Sequence, residues 1–218
     1  MPSFFLFDLD GTLIDSRADL ACAVNLTRKD FGLPPLPLDS VTCCVGHGVA
    51  NLLLSTIPEL PAAEIDNTLA IYRAHYRAHL LDETRAYPGI PELLQHLRAD
   101  GHRLAVVTNK GRAASLAILD GLKLLPFFDV IVGDGDAPAL KPDPVPLHFA
   151  ARQLGRDLLS SDWMIGDQDT DLRAGASAGI QTCFCRWGFS GSVAPCAATF
   201  CADTPNEFHA LLRRSPPR

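Results

Sequence analysis

The chain has 218 residues, 47% hydrophobic and 20% charged, enough apolar material for one sizeable core and too much for a disordered chain. A formal net charge of −6 offers no basic surface for a sequence-independent grip on nucleic acid. No run reaches the apolar length that spans a bilayer, and the opening residues lack a basic n-region, so the expected setting is cytoplasmic, with no membrane partner.

In chain order, the first apolar run, 4–9, reads as a buried strand that ends at Asp8 and Asp10. A capping-box spacing at Ser16 and Asp19 opens a helical stretch, and apolar residues at helical spacing recur over 65–81. Pro91 and Gly101 punctuate the next helix, and 104–108 is a second strand ending at Thr108. Further strands are expected at 130–132, 163–165 and 181–185, separated by helices that start near Asp143 and Asp171. Thr204 and Glu207 have capping-box spacing for a last helix, and the tail 215–218 is expected to fray. Strands alternating with helices predict an α/β fold, a Rossmann-like doubly wound parallel sheet. The stretch between the first two strands is far longer than one crossover needs. It predicts an inserted helical cap over 15–84, with 1–14 and 85–218 forming the core domain. Seven cysteines, an odd number, fit reduced thiols, and Cys183, Cys185, Cys196 and Cys201 match no standard zinc spacing.

All strands of a parallel sheet end on one edge, where ligands bind. That edge should gather Asp8, Asp10, Thr108, Lys141 and Asp167 from distant parts of the chain. Asp8 and Asp10 share a site if the chain turns at Gly11, and their mutual repulsion favours a bound cation or a proton held on one of them. One carboxylate can then attack phosphorus while the other moves a proton.

Asp8-Leu9-Asp10-Gly11-Thr12-Leu13, Val107-Thr108-Asn109-Lys110, Lys141-Pro142-Asp143-Pro144 and Gly166-Asp167 followed by Asp171 resemble, in order, the four motifs of the haloacid dehalogenase superfamily. Within it, Thr108-Asn109-Lys110, Tyr87-Pro88-Gly89 and Val45-Gly46-His47-Gly48-Val49 look like the phosphoglycolate phosphatase group. The resemblance implies a Mg²⁺-dependent phosphomonoester hydrolase working through an aspartyl-phosphate on 2-phosphoglycolate or a similar small phosphorylated metabolite. It implies Asp8 as nucleophile and Asp10 as acid and base, with Thr108 and Lys141 on the phosphoryl oxygens. Mg²⁺ would be held by Asp8, the Asp10 carbonyl and Asp167, supported by Asp171. Gly11, Thr12, Asn109 and Lys110, with Gly46, His47 and Gly48 of the cap, are the expected substrate contacts, and the chain is expected to act as a monomer or homodimer. Gln168 departs from the pattern, since many relatives carry Ser there.

Other readings stay open at this point. Asp10 argues against a dehalogenase or a phosphonate hydrolase, and Thr12 stands where phosphoglucomutases more often carry Val. A β-phosphoglucomutase-like enzyme, a pyrophosphatase, and enzymes acting on sugar phosphates or nucleotides share this chemistry. A non-catalytic binding protein on the same scaffold would be marked by loss of Asp8, Asp10 or Asp167. Arg73, His75, Arg77 and His79 read as a solvated helix face, and Trp187 and Phe189 as packing beyond the fifth strand.

Overall fold

The structure is a computed structural model that describes residues 2–59, 61, 64–191, 194 and 196–214; the tail 215–218 lies outside the described residues. Six strands form one parallel sheet: β1 (Phe4–Phe7), β4 (Arg103–Gly111), β5 (Val130–Asp134), β6 (Trp163–Gly166), β7 (Gln181–Cys185) and β8 (Phe200–Ala202). Their spatial order is β5-β4-β1-β6-β7-β8. This is the doubly wound order, which reverses direction at β1 and opens a crevice at the carboxyl ends there. β1 pairs Phe7 with Val106 on one side and with Ile165 on the other. β8, which covers the β7 edge, was not expected, because Phe200-Cys201-Ala202 is too short to show a period.

β1 is buried on both faces, so it is apolar throughout rather than alternating. Phe5 and Phe7 face one core with Leu93, Leu97, Ile118 and Phe208. Phe4 and Leu6 face the other with Leu147, Ala150 and Ala174. The helices that supply these layers are α5 (Ile90–Ala99), α6 (Arg112–Gly121), α7 (Val145–Gln153), α8 (Asp169–Ser177) and α9 (Pro205–Arg214). α9 keeps half of its expected box. Thr204 Oγ1 accepts from Glu207 N at 3.1 Å, while the Glu207 carboxylate turns back to Asp203 N at 2.6 Å.

Between β1 and β4 lies the helical insertion, with α1 (Arg17–Asp30), α2 (Leu38–Thr42), α3 (Val49–Thr56) and α4 (Ile65–Ala78). It leaves and returns through a two-stranded antiparallel ribbon, β2 (Ile14–Asp15) with β3 (Arg85–Ala86). The expected capping box at α1 does not form. Ser16 Oγ donates to Asp10 Oδ1 instead, and the Asp19 carboxylate accepts from Glu83 N, Thr84 N and Thr84 Oγ1 at 2.6–3.1 Å. These longer-range partners bind the outgoing chain to the returning one. Leu20, Val24, Val41, Leu52 and Leu53 of the insertion join the Phe5–Phe7 core, so cap and sheet share buried surface. No helix among the described residues is long and apolar enough to cross a membrane.

Candidate active site

Asp8 follows β1 directly, and its backbone N–H donates to Ile165 O at 2.9 Å, which fixes it beside the end of β6. The next residues turn tightly. Gly11 has φ +86°, and a Cβ there would overlap the Asp167 carboxylate, so only glycine serves. Gly188 closes on Asp167 from the other side and Gly166 on Asp171. Three glycines thus let the backbone pack directly around two buried acids.

Asp8, Asp167 and Asp171 each bring a carboxylate oxygen within 4.8 Å of the others. Lys141 Nζ, 3% exposed as a residue, donates to Asp8 Oδ1 at 2.8 Å and to Asp171 Oδ1 at 2.7 Å. Burial would lower the Lys141 pKa, but Asp171 and Asp8 outweigh it and the net shift is upward. Asp171 is pushed up to about 7 by burial, with Lys141 pulling down and Asp8 pushing up. Burial, with the charges of Asp171 and Asp8, raises Asp167 well above the ordinary carboxylate range. Thr12 Oγ1 at 3.2 Å and Phe189 N at 2.7 Å donate to Asp167, and Trp187 Nε1 holds the Thr12 carbonyl at 3.0 Å.

Opposite this cluster, β4 is irregular. Between the Val107–Val132 and Gly111–Asp134 pairs it carries two more residues than β5, so Thr108, Asn109 and Lys110 bulge at the sheet edge. The bulge aims Lys110 at Asp10. Its Nζ lies 2.9 and 2.7 Å from the two carboxylate oxygens and 4.6 Å from the centre of the Tyr76 ring on α4. The cation that meets Asp10 is therefore a lysine. Asp8, Asp10, Thr108 and Lys110 open on a cavity of about 510 Å³ that runs between α3, α4 and the start of α6. Asp8 Oδ1 is held by Lys141, and among the described residues Oδ2 has no hydrogen-bond partner.

A buried lysine between a strand-end acid and an acid of α8, a second strand-end acid beside them and a further acid–lysine pair at the same cavity match the order of motifs in one hydrolase family. The family described as haloacid dehalogenase-like hydrolase matches residues 5–185. The chain belongs to the haloacid dehalogenase-like hydrolases. It is 39% identical over 184 residues to the phosphoglycolate phosphatase of Aquifex aeolicus, covering 84% of each chain. To the plasmid phosphoglycolate phosphatase of Cupriavidus necator it is 35% identical over 212 residues, covering 95% of this chain and 91% of that one. The crystal structure of a predicted phosphoglycolate phosphatase from Haemophilus somnus superposes with a TM-score of 0.88 at 27% identity, covering 96% of this chain and 97% of the other. A haloacid dehalogenase-like hydrolase with these relatives is a phosphatase.

Several expected substrate contacts have other work. Both amide hydrogens of Asn109 are committed, to Gly46 O and Lys141 O at 2.8 Å each, and its Oδ1 accepts from Lys141 N at 2.9 Å. These bonds tie Asn109 to the Lys141 loop and to Gly46 of the insertion, and Asn109 also lines the cavity. Gly11 and Thr12 do not line the cavity; they pack against and hydrogen-bond to Asp167. His47 is exposed and also lies off the lining, while its neighbours Gly46 and Gly48 lie on it. The helix that starts after Gly48 directs the His47 side chain outward and leaves its carbonyl to accept from Asn51 Nδ2 at 2.7 Å.

Gln168 has a role that no sequence signal suggested. Its backbone N–H donates to Asp171 Oδ2 at 3.0 Å at the start of α8. Its side chain reaches the cap, where a Cβ on Gly46 would overlap Oε1 and where Gly46 has φ +120°. The longer side chain that departs from the family pattern is thus a contact between core and cap.

Proposed function

We propose that this chain is a Mg²⁺-dependent phosphomonoester hydrolase that forms an aspartyl-phosphate on Asp8. The observation that carries the reading is Asp8 itself, with one oxygen anchored by Lys141, the other without a partner among the described residues, and the residue lining the same cavity as Asp10. Asp8 forms a bond to phosphorus as the bond to the ester oxygen breaks, and Asp10 gives its proton to the departing alcohol. Asp10 then takes a proton from the water that attacks the phospho-enzyme, releasing inorganic phosphate and restoring Asp8. Lys110 pairs with Asp10 and lines the cavity, so an incoming phosphate competes for the ammonium and frees Asp10 to hold a proton. Thr108, which lines the cavity with Asp8, and Lys141, which holds Asp8, would donate to the phosphoryl oxygens.

The donor set suits a hard divalent cation. It is all oxygen and buried, and the crowding that raises Asp167 and Asp171 is relieved by positive charge. Asp8, Asp167 and Asp171 would hold the metal, with the Asp10 carbonyl completing the set. When bound, Mg²⁺ supplies neutralisation of the phosphoryl oxygens.

The insertion, read as a cap over 15–84, selects the leaving group. The names of the relatives make 2-phosphoglycolate the first substrate to test, and the half-buried start of α3 at Gly48 and Val49, which lines the cavity, suits its carboxylate. The test is phosphate release from a panel of small phosphomonoesters by the wild type and by Asp8→Asn. An amide cannot attack phosphorus and the change is nearly isosteric, so the variant should fold normally and release no phosphate. Retained turnover in the variant would remove Asp8 as nucleophile.

A further inference from the structure

The basic stretch of α4 is divided by the structure. His75 Nε2 pairs with Asp30 at 2.7 Å and His79 Nδ1 with Asp82 at 2.7 Å. Arg73 and Arg77 instead line the cavity, on the same helix as Tyr76. Among the described residues neither arginine has an ion pair or a hydrogen-bond partner. Four residues apart, they stand about 6 Å from one another along the helix axis, close enough for both guanidinium groups to reach one anion.

The rest of the outer cavity differs in character from the phosphate end. Leu20, Val49, Leu52 and Leu80 from the cap face Ala113 and Ala117 of α6. The third arginine on the wall, Arg112, is already occupied, donating to Ile131 O and to Asp136 Oδ2. A cavity of 510 Å³ falls within the range of roughly 300–1,000 Å³ of pockets that enclose a drug-sized ligand. A two-carbon acid held at Asp8 would fill only its inner end. The lining therefore combines a phosphate site, a largely apolar wall and two exposed, unpaired cations, with Asp134 as the further acid on it.

We propose that Arg73 and Arg77 form a second anion subsite, and that the preferred leaving group has an apolar segment several atoms long ending in a carboxylate or a second phosphate. This rests on the phosphomonoesterase reading above. Guanidinium groups hold either anion in a bidentate geometry, and the apolar walls exclude water from the segment between the two charges.

The experiment measures kcat/KM with Mg²⁺ for ω-phosphooxy carboxylates of two, four and six carbons, alkyl phosphates of the same lengths, matching terminal bisphosphates and p-nitrophenyl phosphate. The long acids or bisphosphates should exceed both 2-phosphoglycolate and the alkyl phosphate of equal length by about tenfold to a hundredfold. Which of the two leads identifies the anion. Arg73→Gln/Arg77→Gln should erase that advantage through KM, and Arg73→Glu/Arg77→Glu should shift preference towards ω-aminoalkyl phosphates. No gain with length, or a proportional fall for every ester including the aryl one, overturns the subsite. Failure to hydrolyse even p-nitrophenyl phosphate would instead sink the phosphatase reading. In that case calorimetric binding of the six-carbon acid and its alkyl counterpart to the wild type and the double variant still decides the subsite.

Discussion

Lys141→Met tests the central electrostatic claim of the site. Lys141 Nζ lies 2.8 Å from Asp8 and 2.7 Å from Asp171, with 2% of its side chain exposed. At an effective dielectric of about 20, each such pair attracts by about 6 kcal/mol before desolvation is subtracted. Removing the cation leaves three carboxylates whose oxygens lie within 4.8 Å, and two like charges at that distance repel by about 3.5 kcal/mol at the same dielectric. The expected loss in metal-free protein is therefore close to the roughly 3–5 kcal/mol typical of a buried pair broken on one side. For a chain of this size that is about 6–20 °C in unfolding temperature. The pH dependence has a definite sign. Asp171 and Asp167 have raised pKa values when folded, so their contribution is complete below the unfolded value and is lost as pH rises through the folded one. Without Lys141 both rise further, so the deficit of the variant should widen as pH rises from about 7, the folded value of Asp171, into the mildly alkaline range. Lys141 itself, with a raised pKa, contributes fully across that range. Urea unfolding of both proteins at each pH, with and without Mg²⁺, measures this. A deficit under about 1 kcal/mol, or one independent of pH, would refute the reasoning.

Other outcomes follow from the same geometry. Asp10→Asn should slow both formation and hydrolysis of the phospho-enzyme by about 10²–10⁴-fold in single-turnover experiments. EDTA should abolish phosphate release and Mg²⁺ restore it, whereas Ca²⁺, with its larger and looser shell, should inhibit; full activity of metal-free protein would contradict the assignment. Gly46→Ala should raise KM for small esters, because its Cβ meets Gln168 and its φ of +120° disfavours a side chain; Gln168→Ser in the same chain should recover part of the loss by removing the obstacle.

The acids and Lys141 were legible in the sequence because strand ends in a parallel sheet share an address whatever the loops do. The insertion was legible for a similar reason, since the chain between the first two strands is too long for one crossover. Residues whose roles depend on approach between distant backbones were not. Asn109 and Thr12 sit inside recognised motifs, yet only folding shows that they hydrogen-bond to Gly46 and Asp167. Gln168 looked like a defect in a motif because nothing in the sequence states that Gly46 will rest on it. Arg73, His75, Arg77 and His79 alternate along α4 and its C-cap, and the acids that claim the histidines, Asp30 and Asp82, come from outside that helix.

The ribbon at the base of the insertion has a consequence for how such enzymes can change. Ile14 pairs with Ala86 and Asp15 with Arg85, and Asp19 clasps the returning chain at Thr84. The excursion therefore begins and ends at one point, like the neck of a bag. Material can be added to or exchanged within it without altering the path by which the chain enters β4. The catalytic edge keeps its alignment because it is built almost wholly from segments outside the neck. Recombination that carries Asp19 and Thr84 together should transplant substrate preference as a unit, whereas separating them should loosen the neck.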